Sequence, residues 1–239
     1  MCLVGRLKRR DYSEASGLRV CAQVARVSKR NFMPKNIDYY FSMHSPWAYI
    51  GHAPFMEIVR CHDMKVTYKP ISLSDVFAKT GGLPVGKRHP ARLRYRILEL
   101  QRWREKRGLK FNLHPKFWPF AAEAADRFAV AVAAAGHDPD PFLRRAFAAL
   151  WEEEQNLADA ATLTELANAE KLPGAELLAQ AERDETKAKY EQNTADAIAI
   201  EVIGSPSYVL NGEVFWGQDR LDLLDDALRS GRKPYRYDA

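Results

Sequence analysis

Beginning at Asn36, the spacing of apolar positions changes twice within a short stretch. "IDYYF", Ile37 to Phe41, is nearly continuous in the manner of a buried strand, whereas "PWAYIGHAPFMEIVRCHDM" carries its apolar residues at helical spacing. "KVTYKPISL" from Lys65 then returns to a strand-like run that ends at Pro70. This order predicts a βαβ unit with parallel neighbours joined by a right-handed crossover. The next segment, "DVFAKTGGLPVGKRHPAR", is rich in glycine, proline and base and reads as a loop over a functional edge. Helical patterns follow without a strand: "ARLRYRILELQRWREKRG", "PFAAEAADRFAVAVAAAG", "DPFLRRAFAALWEEEQ", "DAATLTELANAEK" and "AELLAQAERDETKAKYEQNTADAIAI". Gly136 reads as a helix stop, and Asp140 with Pro141 as an N-cap followed by a first-turn proline. Strand signals return in "SYVL" and "EVFW" around the Asn211–Gly212 turn, a hairpin signature, and "QDRLDLLDDALRSG" closes the pattern as a helix.

The predicted fold class is therefore α/β, a thioredoxin-like layout whose βαβ and ββα halves are separated by an inserted all-helical domain. The boundaries read as residues 34–75 and 200–239 for the thioredoxin-like part and 76–199 for the insertion. Residues 1–33 read as a basic, disordered leader, with Met33 an alternative start.

Composition refines this picture only slightly. The chain has 239 residues, 46% of them hydrophobic, enough for one good core with an inserted subdomain. No run approaches the roughly 18 apolar residues of a membrane span. The net charge of +5 would suggest an anionic polymer as partner, but the leader holds eight bases against two acids and the remainder is close to neutral. Nucleic acid and membrane are accordingly not expected partners. Three cysteines without repeated spacing support neither a disulfide framework nor a metal site and fit a reducing cytoplasm; Cys61 reads as a helix-end thiol.

In a thioredoxin-like layout the first helix begins at the reactive site, where redox proteins place Cys-x-x-Cys because a helix N-terminus lowers a thiol pKa. The matching tetrapeptide here is Ser45, Pro46, Trp47, Ala48, which carries no thiol, so disulfide exchange is excluded at this place. What remains is a hydroxyl at a positive helix end, able to donate to a thiolate supplied by another molecule. Local sequence alone favours the plainer reading, an N-cap ahead of a first-turn proline. "IGSPSYVL" puts Pro206 at the start of the third strand, where a proline either begins an edge or makes a tight, cis turn.

Taken together, "YYFSMHSPWAYIG", the "AKTGGLP" loop, "GSPSYVLNGEVFWGQDRLDLL" and the helical insertion resemble the 2-hydroxychromene-2-carboxylate isomerases, relatives of the kappa-class glutathione transferases and DsbA-like oxidoreductases. The resemblance covers Asn36 to Leu228. It implies a glutathione cofactor, with Ser45 holding the sulfur as thiolate. It further implies a backbone clamp at Ser205 with a cis Pro206, and a γ-glutamyl subsite at Gln218 and Asp219. A departure occurs in the loop after the second strand, where Thr80, Gly81 and Gly82 stand in place of a Thr/Ser-Gly-Asn whose Asn binds the glycyl arm. The family lysine a few residues on falls on Arg92 or Lys87. The implied activity is isomerisation of a small aromatic or unsaturated keto acid by reversible thiolate addition, in a homodimer. A kappa-like transferase and a non-catalytic thioredoxin-like binding module are the alternatives.

Several conspicuous groups have plainer readings. "HPKFWP", His114 to Pro119, reads either as the wall of an aromatic-substrate pocket or as a connector packed on the core. His44 reads as a satisfied or exposed imidazole, Trp47 and Trp216 as core, and Glu152 to Glu154 as a solvated helix face.

Overall fold

The computed structural model describes residues 36–237, so the leader lies outside the described residues. Four strands, β1 (Asn36–Phe41), β2 (Lys65–Pro70), β3 (Ser207–Leu210) and β4 (Glu213–Trp216), form one mixed sheet in the order β2-β1-β3-β4. β1 and β2 are parallel, joined by α1 (Pro46–Cys61). β3 is antiparallel to both β1 and β4, and Asn211 and Gly212, both at positive φ, make the tight turn of the β3–β4 hairpin. Between the halves lie α2 (Leu73–Thr80), α3 (Pro90–Arg107), α4 (Glu123–Ala134), α5 (Pro139–Trp151), α6 (Ala160–Ala169), α7 (Gly174–Ala181) and α8 (Asp184–Ala199); α9 (Leu221–Ser230) follows the hairpin. This is the thioredoxin/DsbA-like α/β fold with a helical insertion that the hydrophobic pattern predicts.

Alternation along β1 explains how the sheet acquires two covered faces. Ile37, Tyr39 and Phe41 join the large core with Phe55 of α1, Tyr208 of β3, and Phe128, Phe142, Phe147 and Trp151 of the insertion. Tyr40 points the other way, into a smaller cluster with Ile71, Val76, Ala197 and Val209. The inserted helices thus share the sheet's core. Polar ties reinforce this joint, since Tyr49 of α1 donates to Glu152 (2.7 Å), and buried His52 of α1 pairs with Asp140 of α5 (2.8 Å).

Several local expectations are corrected. The segment after β2 is not all loop: Ser72 caps α2, whose side-chain oxygen accepts from Asp75 N–H, and Val85–Lys87 form a 3-10 turn. α5 starts two residues earlier than the Asp140 cap suggests, with Asp138 as N-cap and Pro139 at its start. The last helical pattern of the insertion is two helices, broken between Ala181 and Asp184. Glu152 to Glu154 are not a merely solvated face, because they accept from Tyr49, Arg145 and Asn112 respectively. Cys61 closes the last turn of α1. Among the described residues no helix is long and apolar enough to cross a membrane.

Candidate active site

The β1–α1 junction and the turn before β3 meet at the sheet's centre because β1 pairs with β3. Ser45 is the N-cap of α1, extended at φ −91° and ψ 115°, with Pro46 opening the first turn. Its Oγ accepts from Ala48 N–H (3.2 Å) and donates to the carbonyl of Ser205 (3.0 Å). The Ser205–Pro206 peptide bond is cis. Ser205 Oγ in turn accepts from the Ser42 N–H (3.1 Å), so the two loops are stitched on both sides. Ser45 and Ser205 are buried, yet both line a cavity of about 580 Å³. The N-cap reading of Ser45 is thus correct, and the same hydroxyl also reaches the proline turn.

Beneath this junction lies a carboxyl group that reading along the sequence missed. Asp126 of α4 is fully buried, accepts from Ser42 Oγ and Met43 N–H (both 2.8 Å), and lines the cavity. Burial pushes its pKa up to about 8, against the opposing pull of the Met43 and Ser42 donors. A signal for it exists in the sequence: an acid set among Ala125, Phe128 and Ala129, where the stripe of α4 is otherwise apolar.

The other expected site residues are dispersed. Gln218 is buried between α1 and α3: its side chain starts so close to Gly51 that a Cβ there would meet Gln218 Cβ at 2.6 Å, and its Oε1 accepts from Arg107 (3.3 Å). Asp219 is on the surface, paired with Arg220. Arg92 and Lys87 are exposed, and none of these four lines the cavity. Two neighbouring bases do, Arg88 of the 3-10 segment's end and Arg96 of α3. Gly82 is pressed against Phe77, since a Cβ on it would lie 2.4 Å from the ring.

The aromatic wall is richer than its plain reading. Trp118 and Phe120 line the cavity, and Trp118 Nε1 donates to the His44 carbonyl (3.0 Å). His44 is neither satisfied nor exposed: its ring packs on Trp118 and Phe120 and its Nε2 is buried without a partner among the described residues. Trp47 and Trp216 also line the cavity, Trp216 half-exposed, so neither is plain core.

The site is thus that of a thioredoxin fold with a serine in place of a thiol at the head of its first helix, opposed by a cis-proline turn. The DSBA-like thioredoxin domain model matches residues 36–229, and the chain belongs to that family. It is 24% identical over 198 residues to the 2-hydroxychromene-2-carboxylate isomerase of Sphingobium xenophagum, covering 82% of this chain and 99% of that one. It is likewise 24% identical to glutathione S-transferase kappa 1 of Caenorhabditis elegans, covering 82% and 93%. The solved structure of a 2-hydroxychromene-2-carboxylate isomerase superposes with a TM-score of 0.71 at 21% identity, over 81% of this chain and 94% of that one.

Proposed function

We propose that the protein is a glutathione-dependent isomerase of the 2-hydroxychromene-2-carboxylate isomerase type, acting on a small aromatic or unsaturated keto acid. The observation that carries this reading is the position of Ser45 Oγ, at the head of α1, on the cavity and within hydrogen-bond distance of the cis-proline turn. The residues fit the thiol end of such a peptide: a hydroxyl donor, a helix N-terminus and a carbonyl-bearing turn converge there. When bound, the thiolate supplies a nucleophile that adds to and leaves an electrophilic carbon, replacing one difficult step with two easier ones. Ser45 would turn its proton from the Ser205 carbonyl toward the sulfur and so favour the anion. Asp126 would hold the Ser42–Met43 backbone that sets the position of Ser45. Trp118 and Phe120 would exclude water on the side where an aromatic acceptor enters. A homodimer belongs to the same proposal, checked by light scattering.

The name of the nematode relative favours a second reading, a kappa-like transferase that releases a thioether. Calorimetric titration with reduced glutathione, using the oxidised form as control, tests the shared premise. Turnover of a hydroxychromene carboxylate with total glutathione unchanged supports the isomerase, stoichiometric loss of thiol supports the transferase, and failure to bind the reduced form overturns both.

A further inference from the structure

Arg96 is the most isolated cation of the cavity wall. It projects from α3 with its guanidinium carbon 4.8 Å from the centre of the Trp118 ring. It is half-buried, and among the described residues no carboxylate lies within ion-pairing distance of it. Burial, and after it the neighbouring Arg88, push its pKa down to about 10, so it is still a cation at neutral pH. A guanidinium withdrawn from water and left beside another cation is costly unless an anion completes it. Arg88 is less available, since its Nε donates to the Leu83 carbonyl (2.8 Å) and its guanidinium lies over Phe77.

The surroundings of Arg96 narrow the chemistry of that anion. His44 lines the same cavity, its buried Nε2 has no partner among the described residues, and burial, with Arg96, pushes its pKa down. Trp118 cannot swing away freely, because its indole N–H is tied to the His44 carbonyl. A fixed indole, the Phe120 ring, a planar guanidinium fork and an imidazole nitrogen together match a flat ring bearing a carboxylate. The cavity's acids, Asp75, Glu123, Asp126 and Glu191, come from α2, α4 and α8, and with Lys187 they belong to elements other than the one that carries Arg96.

We infer that Arg96 is a specificity-determining residue that binds the carboxylate of the electrophilic acceptor, an aromatic acid whose ring lies on Trp118 and Phe120, with His44 as second donor. This rests on the proposed thiol-dependent reaction for its biological meaning, but the subsite is testable without any thiol. The probe is 2-naphthoate, with the uncharged 2-naphthamide as control, each titrated calorimetrically and by tryptophan fluorescence into the wild type, Arg96→Met and Arg96→Lys. Expected is saturable binding of naphthoate to the wild type, weakened about 10-fold or more in Arg96→Met, as loss of a charged hydrogen bond requires. Arg96→Lys recovers part of that loss, and naphthamide affinity changes less than about twofold throughout, well inside the uncertainty of one such bond.

No naphthoate binding by the wild type overturns the inference, as does an equal loss of acid and amide in Arg96→Met, the mark of a merely structural residue. A loss of reduced-glutathione affinity in Arg96→Met as large as that of naphthoate also overturns it, by assigning Arg96 to the peptide's own carboxylate. Failure of the wild type to bind reduced glutathione at all is a separate result: it removes the proposed isomerase reading and leaves the naphthoate comparison to decide the subsite.

Discussion

At the scale of single residues, the site rests on hydroxyls and one buried acid. Ser45→Ala removes both the cap on Ala48 N–H and the donor to Ser205. A lost N-cap alone costs about 1 kcal/mol, visible as a lower urea midpoint. Because a hydrogen bond to a charged group is worth about 1.5–3 kcal/mol, the pKa of a bound thiol should rise by about one to two units, read from the ultraviolet absorbance of the thiolate against pH. Unchanged thiol pKa would reduce Ser45 to a cap. Asp126 makes the opposite kind of prediction, about the fold. Its carboxyl has a pKa raised from 3.8 to about 8, so the native state keeps a proton that the unfolded chain has lost. The stability this proton represents is whole below the unfolded pKa and disappears as pH rises through about 8, on the order of 5 kcal/mol by the linkage of 1.4 kcal/mol per unit. Asp126→Asn, which keeps one acceptor for Met43 N–H and never ionises, should lack this loss. Urea denaturation of both proteins across that pH range compares the two slopes, and parallel curves would refute the raised pKa. Ser45, Ser205 and Pro206 are legible in the sequence because a helix cap and a proline turn leave local signatures. Asp126 and Arg96 are harder to read, since each matters through what faces it from another element.

At the scale of elements, local rules place β1, α1, β2 and the β3–β4 hairpin to within about three residues, because each is bounded on at least one side by a proline, a cap or an Asn-Gly turn. The segment after β2 reads as a loop because glycine and proline dominate its second half, whereas its first half folds as α2 on Val76 and the Ser72 cap. That helix has a consequence for Gly82. The ring of Phe77, which lines the cavity, occupies the place that a Gly82 side chain would take, with Phe77 Cγ 2.9 Å from the hypothetical Cβ. Restoring the asparagine of the resembled family should therefore fail here. Gly82→Asn is expected to cost about 1–3 kcal/mol by overpacking and to weaken reduced-glutathione binding. Adding Phe77→Ala should relieve the overpacking, so that the double variant is more stable than the sum of the single changes implies. A calorimetric gain in affinity from Gly82→Asn alone would show that Phe77 yields and that the loop is soft.

At the scale of the whole molecule, the inserted helices are covalently an insertion but physically part of one core. Phe147 of α5 touches the rings of Phe41 on β1, Tyr49 and His52 on α1 (centroids 6.5, 6.2 and 5.6 Å), so the sheet side and the insertion bury the same surface. Neither part could leave without exposing the other. Unfolding should accordingly be a single cooperative transition, with tryptophan fluorescence, read in a variant that keeps only buried Trp151 of the insertion, and the far-ultraviolet circular dichroism of the whole chain falling at one midpoint. Phe147→Ala should lower that midpoint for both signals together, by about 3–5 kcal/mol, the usual cost of emptying a buried phenylalanine site. Two separated midpoints, or a shift in the tryptophan signal alone, would mean that the insertion melts by itself. The distinction matters for function, because Arg96, Asp126 and Trp118 all come from the insertion while Ser45 and Pro206 come from the sheet side. Only a joint that unfolds as one holds Ser45 and Arg96 at a fixed separation across the same cavity.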